Sequence, residues 1–252
     1  MPEFRGLHAV VTGGGRGIGA AAAAALTRMG AHVTVLGRNR EALEARVDEG
    51  EAHGYAIADV TDRSGLEKAL AAVGAARPVD ILVNNAGIAL SAPFVKTTSE
   101  AFAHILETNV MGPAVATRAV LPGMMERKFG RIVNVCSTAA LKGYPYVSAY
   151  VASKHALLGL TKALALEVAK TGVTVNAVCP SFVDTGMVED AVKTIADKSG
   201  RDEESVRAEL MKINPLGRLI APAEVADVIC FLASRASGAI NGSAVTVAGG
   251  EV

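Results

Sequence analysis

The stretch SAYVASKHALLGL, residues 148–160, sets a tyrosine, Tyr150, four residues ahead of a lysine, Lys154. On a helix such a pair lies on one face, about one turn apart. A positive charge held there favours phenolate over phenol and lowers a pKa that is ordinarily about 10. That is one way to make a tyrosine an acid or base near neutrality. Helices contain many tyrosines and lysines, so the spacing alone decides nothing. The elements around the pair must.

A second chemical signal stands near the start. The run HAVVTG (8–13) leads into TGGGRGIG, in which Thr12, Gly13, Gly17 and Gly19 form T-G-x-x-x-G-x-G, with Gly15, Arg16 and Ile18 between them. Glycines at a strand-to-helix turn let the backbone turn tightly and approach a pyrophosphate, whose charge then faces a helix N-terminus. A buried strand before the cluster and an Ala-rich helix after it supply the context that a dinucleotide site requires. An NAD site usually has an acid about 20 residues after the glycines. From Phe4 to Arg40 there is no Asp or Glu. The segment VLGRNR instead places Gly37 and Arg38 where that acid would sit, with Arg40 close by. Guanidiniums there suit a 2′-phosphate, which arginine can grip with paired hydrogen bonds. The expected cofactor is NADP(H) rather than NAD(H). The plain alternative is a set of solvated surface arginines.

Short β-branched runs alternate with Ala/Leu-rich segments along the chain. HAVVTG (8–13), HVTVLG (32–37), ILVNNAG (81–87), RIVNVCS (131–137), VTVNAVCP (173–180) and AVTVAGG (244–250) read as strands, with a weaker one at YAIADV (55–60). They are nearly continuous in apolar residues, as strands covered on both faces should be. Helical patterns occupy 17–29, 40–50, 63–76, 98–126, 150–171 and 222–234. The expectation is one α/β domain over 1–252: a doubly wound, Rossmann-like, seven-stranded and mostly parallel sheet with helices on both faces. Residues 186–213 carry helical spacing with a polar break at SGRDEE and read as a mobile two-helix lid.

Composition excludes several classes. Among 252 residues, 25 basic side chains balance 25 acidic ones, so no overall field draws nucleic acid or an anionic membrane. The absence of tryptophan argues against a stacking surface for single strands. The start lacks a signal-peptide pattern, and no apolar run reaches the length of a membrane span. Cys136, Cys179 and Cys230 lie far apart among apolar residues, without metal-ligand spacing, and read as buried thiols in a reducing cytoplasm. The five histidines show no ligand spacing either, and no metal is expected.

Taken in order, TGGGRGIG, DV at 59–60, NNAG at 84–87, Asn109 in ETNVMG, Ser137 and YVASK at 150–154 resemble the short-chain dehydrogenases/reductases. Ser137 stands 13 residues before Tyr150, that family's usual interval. The segments GRIVNVCSTAALKG, YVASKHALLGLTKALALE and TGVTVNAVCPSFVDT are similar to its ketoreductase and 3-oxoacyl reductase branch.

The resemblance implies roles. Tyr150 gives a proton to a carbonyl oxygen or takes one from an alcohol. Lys154 holds the nicotinamide ribose, Ser137 hydrogen-bonds the substrate oxygen, and Asn109 holds a water that links Lys154 to solvent. For the cofactor it implies Asp59 and Val60 at the adenine, Asn85, Ala86 and Gly87 at the adenosine ribose, and Pro180, Val183 and Thr185 around the carboxamide. Ser181 stands where the family usually has glycine, and would strain the loop if that position needs a positive φ. Pocket walls are expected from Leu90, Phe94, Ala139, Leu141, Tyr144, Tyr146, Phe182 and Met187. The implied activity is hydride transfer between NADP(H) and a small-molecule ketone or secondary alcohol: a 3-oxoacyl thioester, or a cyclic or aryl ketone. Alternatives are an NAD-dependent alcohol dehydrogenase of the same family and a non-catalytic NADP-binding sensor or subunit. A homodimer or homotetramer built through the helices at 98–126 and 150–171 is also implied.

Overall fold

A computed structural model describes residues 3–252; Met1 and Pro2, part of the stretch read as carrying no signal peptide, lie outside the described residues. The strands are β1 (His8–Thr12), β2 (His32–Gly37), β3 (Gly54–Ile57), β4 (Ile81–Asn84), β5 (Gly130–Val135), β6 (Val173–Pro180) and β7 (Ala244–Val247). They form one sheet in the order β3-β2-β1-β4-β5-β6-β7, and every neighbouring pair is parallel. Between them run α1 (Gly17–Arg28), α2 (Arg40–Asp48), α3 (Arg63–Ala76), α4 (Ser99–Leu106), α5 (Gly112–Glu126), α6 (Ser148–Val168), α7 (Gly186–Ser199), α8 (Glu203–Ile213) and α9 (Pro222–Ala233).

Side chains alternate across each strand, and both sides are covered. Ala9 and Val11 of β1 join a core with Ala22, Ala23 and Leu26 of α1 and Ala226 and Ile229 of α9. Val10 of the same strand joins the opposite core, with Leu66 and Leu70 of α3 and Val115 and Val120 of α5. Two apolar layers on one strand explain its unbroken apolar run. The strand order reverses between β1 and β4, and in open parallel sheets that switch point leaves a crevice at the strands' carboxyl ends.

Three expected boundaries shift for physical reasons. The strand read as 81–87 ends at Asn84, because the next amides, of Asn85 and Ala86, turn to the Thr12 hydroxyl at 3.0 and 3.1 Å. The strand read as 244–250 ends at Val247, where Gly249 and Gly250 take positive φ. The helix read as 98–126 is divided by a π turn, Glu107–Met111. Pro113 has no N–H to give the Asn109 carbonyl, so the regular i→i−4 ladder cannot run through. The segment 186–213 is the expected helix pair. Gly200 ends α7 in the left-handed conformation and Asp202 caps α8 by accepting from the Ser205 amide. Val188, Val192 and Ala196 pack there against Val206 and Leu210.

All three cysteines are buried and unbridged. Burial pushes the Cys230 thiol up to about 12. No helix among the described residues is long and apolar enough to cross a membrane.

Three histidines meet at the amino-terminal edge of the sheet, away from the crevice. His32 lies between His8, at 5.2 Å between ring centroids, and His53, at 4.7 Å. His8 is 1% exposed and its ring nitrogens meet the Arg77 carbonyl and the Thr34 hydroxyl. Burial lowers both His8 and His32 below the usual 6.5, and the neighbouring imidazoles lower His32 further. The unfolded chain therefore binds more protons than the folded one once the pH falls through 6.5, and stability is lost on the acid side. The melting temperature should drop as pH goes from about 7 to about 5, and His32→Gln should flatten that drop. An equal slope in the variant would remove the cluster as its cause.

Candidate active site

At the carboxyl end of β5 the chain passes through Cys136 to Ser137, whose extended backbone opens a 3-10 turn at Thr138–Ala140. Its hydroxyl oxygen accepts from the Ala139 amide at 3.1 Å, which fixes the side chain at the turn. Helix α6 begins at Ser148, so Tyr150 lies in its first turn and Lys154 one turn on. Lys154 is 5% exposed, and its ammonium donates to the Val135 carbonyl at 2.8 Å. The same nitrogen stands 5.6 Å from the centre of the Tyr150 ring. A buried cation is costly unless partnered, so the carbonyl at the end of β5 holds the ammonium beside the tyrosine. Among the described residues no group hydrogen-bonds the Tyr150 hydroxyl.

Asn109 sits in the π turn and is fully buried. Its amide oxygen accepts from Ile88 N at 2.9 Å. Its amide nitrogen donates to Ile88 O at 2.9 Å and to Ser153 Oγ at 3.0 Å. Ser153 passes the link on to the Tyr150 carbonyl at 2.7 Å. One side chain thus fastens the loop after β4 to the helix carrying Tyr150 and Lys154. The expectation that Asn109 holds a water is narrowed: the side chain is committed elsewhere, and Pro113 leaves the backbone carbonyl without its helical donor. A Cβ placed on Gly87 would lie 3.2 Å from Asn109 Oδ1 and 3.6 Å from Lys154 Nζ, so this glycine borders the lysine directly.

The glycine loop is a cradle with no room for side chains. Gly13 and Gly17 have positive φ. A Cβ on Gly19 would stand 2.3 Å from Gly13 O, and one on Gly17 would stand 3.1 Å from Thr185 Cγ2. Thr12 is buried, and its hydroxyl donates to Val83 O while accepting the Asn85 and Ala86 amides. Asn85 Nδ2 donates to the Thr12 and Gly13 carbonyls. Thr12 and Asn85 therefore join β1 to β4 below the cradle instead of leaving free groups above it. Ile18 packs partly into the core, Gly15 lies against Ala42 of α2, and Val60 is buried against Gly112. These features fit a dinucleotide whose phosphates meet bare backbone at the start of α1.

Arg38, at the end of β2 beside Gly37, is 71% exposed and reaches Asp59 Oδ2 at 3.4 Å. Asp59 also accepts from the Thr61 amide and hydroxyl, and these bonds with the Arg38 charge hold its carboxyl below the usual range against the opposing effect of burial. Two residues expected to face the cofactor separately thus form one exposed pair. Arg40 is engaged by Glu44 and Tyr55, whereas Arg16 is exposed at the amino end of α1.

Pro180 ends β6, Val183 is buried and bridges to Ile220, and Thr185 precedes α7 over the glycine loop. Ser181 does not have the positive φ that would strain a serine. Of the expected pocket residues, Leu90, Phe94, Leu141, Tyr146 and Met187 are exposed. Ala139 is buried in its turn, with almost no surface left for a ligand. Tyr144 is half-buried, its ring meeting Phe182 edge-on at 6.4 Å. Tyr146 has a φ of 66°, a conformation that costs a bulky residue about 1–3 kcal/mol. Ala92 N donates to its carbonyl at 2.7 Å and pins it there. No cluster of metal-ligating side chains occurs among the described residues.

Comparison with known proteins bears on the family and the fold. The family model described as short chain dehydrogenase matches residues 7–196. An acetoacetyl-CoA reductase of Rhizobium meliloti is 40% identical, over 96% of this chain and 97% of its own. A D-beta-hydroxybutyrate dehydrogenase of Cupriavidus necator is 38% identical, over 99% of each chain. A crystal structure of an actinorhodin polyketide ketoreductase variant with NADPH superposes with a TM-score of 0.93 at 37% identity, covering 97% of both chains.

Proposed function

The chain belongs to the short-chain dehydrogenase family and is an oxidoreductase acting on CH–OH and C=O groups, and from that premise we propose that it moves a hydride between NADP(H) and a ketone or secondary alcohol. The observation that carries this reading is the buried Lys154 ammonium, held by the Val135 carbonyl two residues before Ser137, 5.6 Å from the Tyr150 ring and bordered by Gly87. The nicotinamide, when bound, supplies or accepts the hydride. Everything else falls to the side chains. Ser137 holds the substrate oxygen, Tyr150 donates a proton to it in reduction, and Lys154 keeps a positive charge beside the ring. The Asn109 carbonyl freed by Pro113 offers a place for a water on the path from Lys154 to solvent.

The cradle residues Gly13, Gly15, Arg16, Gly17, Ile18 and Gly19 would hold the pyrophosphate, and Arg38 the 2′-phosphate. The exposed Arg38–Asp59 pair contributes only about 0–1 kcal/mol, so a phosphate offering two oxygens displaces it readily. Asp59, left without that arginine, would repel the phosphate. Arg38→Ala should therefore weaken NADPH binding about 10- to 100-fold relative to NADH, read from reductive turnover with each cofactor. Equal use of NADH by the wild type, or an unchanged preference in the variant, would favour the NAD-dependent reading.

The apolar rim of Leu90, Phe94, Leu141, Tyr146 and Met187 supports a ketone with apolar substituents, whether a 3-oxoacyl thioester or a cyclic or aryl ketone. The helix pair α7–α8 would act as its lid; Lys198 of α7 already reaches the Ser91 carbonyl across the cleft. We place the protein in the cytoplasm as a homodimer or homotetramer, supported by its three buried, unbridged cysteines and by Leu166, 81% exposed on α6.

A further inference from the structure

Two hydroxyls beside the proposed substrate cleft have no part in the chemistry above, those of Tyr144 and Ser181. Both bind one carboxylate: Tyr144 donates to Glu251 Oε1 and Ser181 to Glu251 Oε2. Lys142 completes the group, its ammonium 2.9 Å from Glu251 Oε1 and 3.3 Å from the Glu251 carbonyl. Thr138 Oγ1 lies 2.6 Å from the Tyr144 oxygen. Burial pushes the Tyr144 hydroxyl above its ordinary range and the bond to Glu251 adds to the effect, so Tyr144 stays a donor and Thr138 must donate to it.

The chain is shaped to bring Glu251 there. After β7, Gly249 and Gly250 turn with φ of 57° and 92°, and Glu251 N donates back to Ala248 O at 3.1 Å. At Gly249 a Cβ would fall 2.1 Å from Asn214 Oδ1, so the turn admits no larger residue. The glutamate side chain is left 2% exposed. A buried carboxylate is tolerated only when its charge is matched and its oxygens are bonded. Lys142, Tyr144 and Ser181 meet that demand, and in doing so they join three segments that frame the site. These are the turn after Ser137, the loop before Tyr150, and the strand end at Pro180.

We propose that Glu251 is a positioning and specificity-determining residue, which through Tyr144 and Ser181 sets the wall of the cleft that receives the larger substituent of the ketone. The proposal rests on the reading of that cleft as a ketone site. It also accounts for the serine after Pro180: its hydroxyl is a rivet to Glu251, not a source of strain. Edge-on contact with Phe182 passes the constraint to the segment leading into α7.

The test compares wild type with Glu251→Gln, Glu251→Ala, Tyr144→Phe and the double variant Glu251→Ala/Tyr144→Phe. Glu251→Gln keeps the volume and removes the charge, so it carries the test if the alanine variant folds poorly. Each is assayed for kcat and KM with a small aliphatic ketone and a bulky aryl ketone, for NADPH binding, and for amide hydrogen exchange over residues 141–147. Loss of the carboxylate should lower kcat/KM for the bulky ketone about 10- to 100-fold more than for the small one, with NADPH affinity nearly unchanged. The double variant should be no worse than Glu251→Ala alone, since both remove the same link. Exchange over 141–147 should rise in both Glu251 variants. An unchanged selectivity ratio, additive effects, or unaltered exchange would overturn the proposal. If the wild type reduces no ketone, the functional reading fails, and the exchange measurement still decides whether Glu251 holds this wall.

Discussion

Tyr150→Phe should lower turnover by about 100-fold or more while leaving cofactor binding and thermal stability close to wild type. The change deletes one oxygen and nothing else. The ring keeps its place in the first turn of α6, and Lys154 keeps its bond to the Val135 carbonyl, which does not involve the phenol. Asn109, Ile88 and Ser153 reach Tyr150 through its backbone carbonyl, so that fastening also survives. With no partner for the hydroxyl among the described residues, removing it orphans no buried group, and the usual source of large destabilisation is missing. What disappears is the hydroxyl that, in the proposed function, would give the substrate oxygen its proton. The measurement is ketone-dependent NADPH oxidation, alongside NADPH titration and a melting curve. Turnover near that of the wild type would take Tyr150 out of the reaction; a matching loss of NADPH binding would mean that the ring, not the proton, had been tested.

The second large effect is expected from Gly19→Ala, a single added methyl. Its carbon would lie 2.3 Å from the Gly13 carbonyl oxygen and 2.5 Å from Asn85 Nδ2, distances at which backbone must move. The two groups it strikes are themselves bonded to each other at 3.1 Å and tie the glycine loop after β1 to the loop after β4. Overpacking of this kind costs about 1–3 kcal/mol, and the strain falls on the surface that a pyrophosphate would touch. NADPH binding should weaken by more than tenfold, with a lowered melting temperature. Gly74→Ala in α3 is the control. Its added methyl meets nothing within 4 Å, and removing a helix glycine should raise stability by about 1 kcal/mol without touching the cofactor. If Gly19→Ala binds NADPH as the wild type does, the glycine loop is not the phosphate site.

Local pattern carried much of this. Continuous apolar runs announced strands covered on both faces, and Gly200 and Asp202 lie where the polar break in 186–213 was read. That Tyr150 and Lys154 share one face of α6 follows from the period of a helix alone, whereas their proposed role does not. What escaped were contacts between segments that the sheet order brings together. Ser181 stood out as a serine in place of glycine, but its partner Glu251 lies 70 residues on, and Tyr144 meets the same carboxylate across 107. Nothing in local spacing points from one to the other; the β6–β7 pairing does. Arg38 and Asp59 were each read towards the cofactor, and their mutual contact follows from the parallel register of β2 and β3. The π turn was hidden for a different reason. Helical periodicity persists through it, and only the missing N–H of Pro113 marks the break.

The sheet order also governs when this protein becomes an enzyme during its synthesis. β1 cannot gain its inner neighbour until β4 has left the ribosome, and the crevice at their carboxyl ends does not exist before then. Along the chain the glycine loop precedes β4, whereas Tyr150 and Lys154 follow β5 and Glu251 follows β7. Contacts so distant in sequence make for slow folding, with apolar strand edges unpaired meanwhile. A nascent chain stalled before β5 would hold the glycine loop without Tyr150 or Lys154, and the unpaired apolar edge of β4 would be open to aggregation.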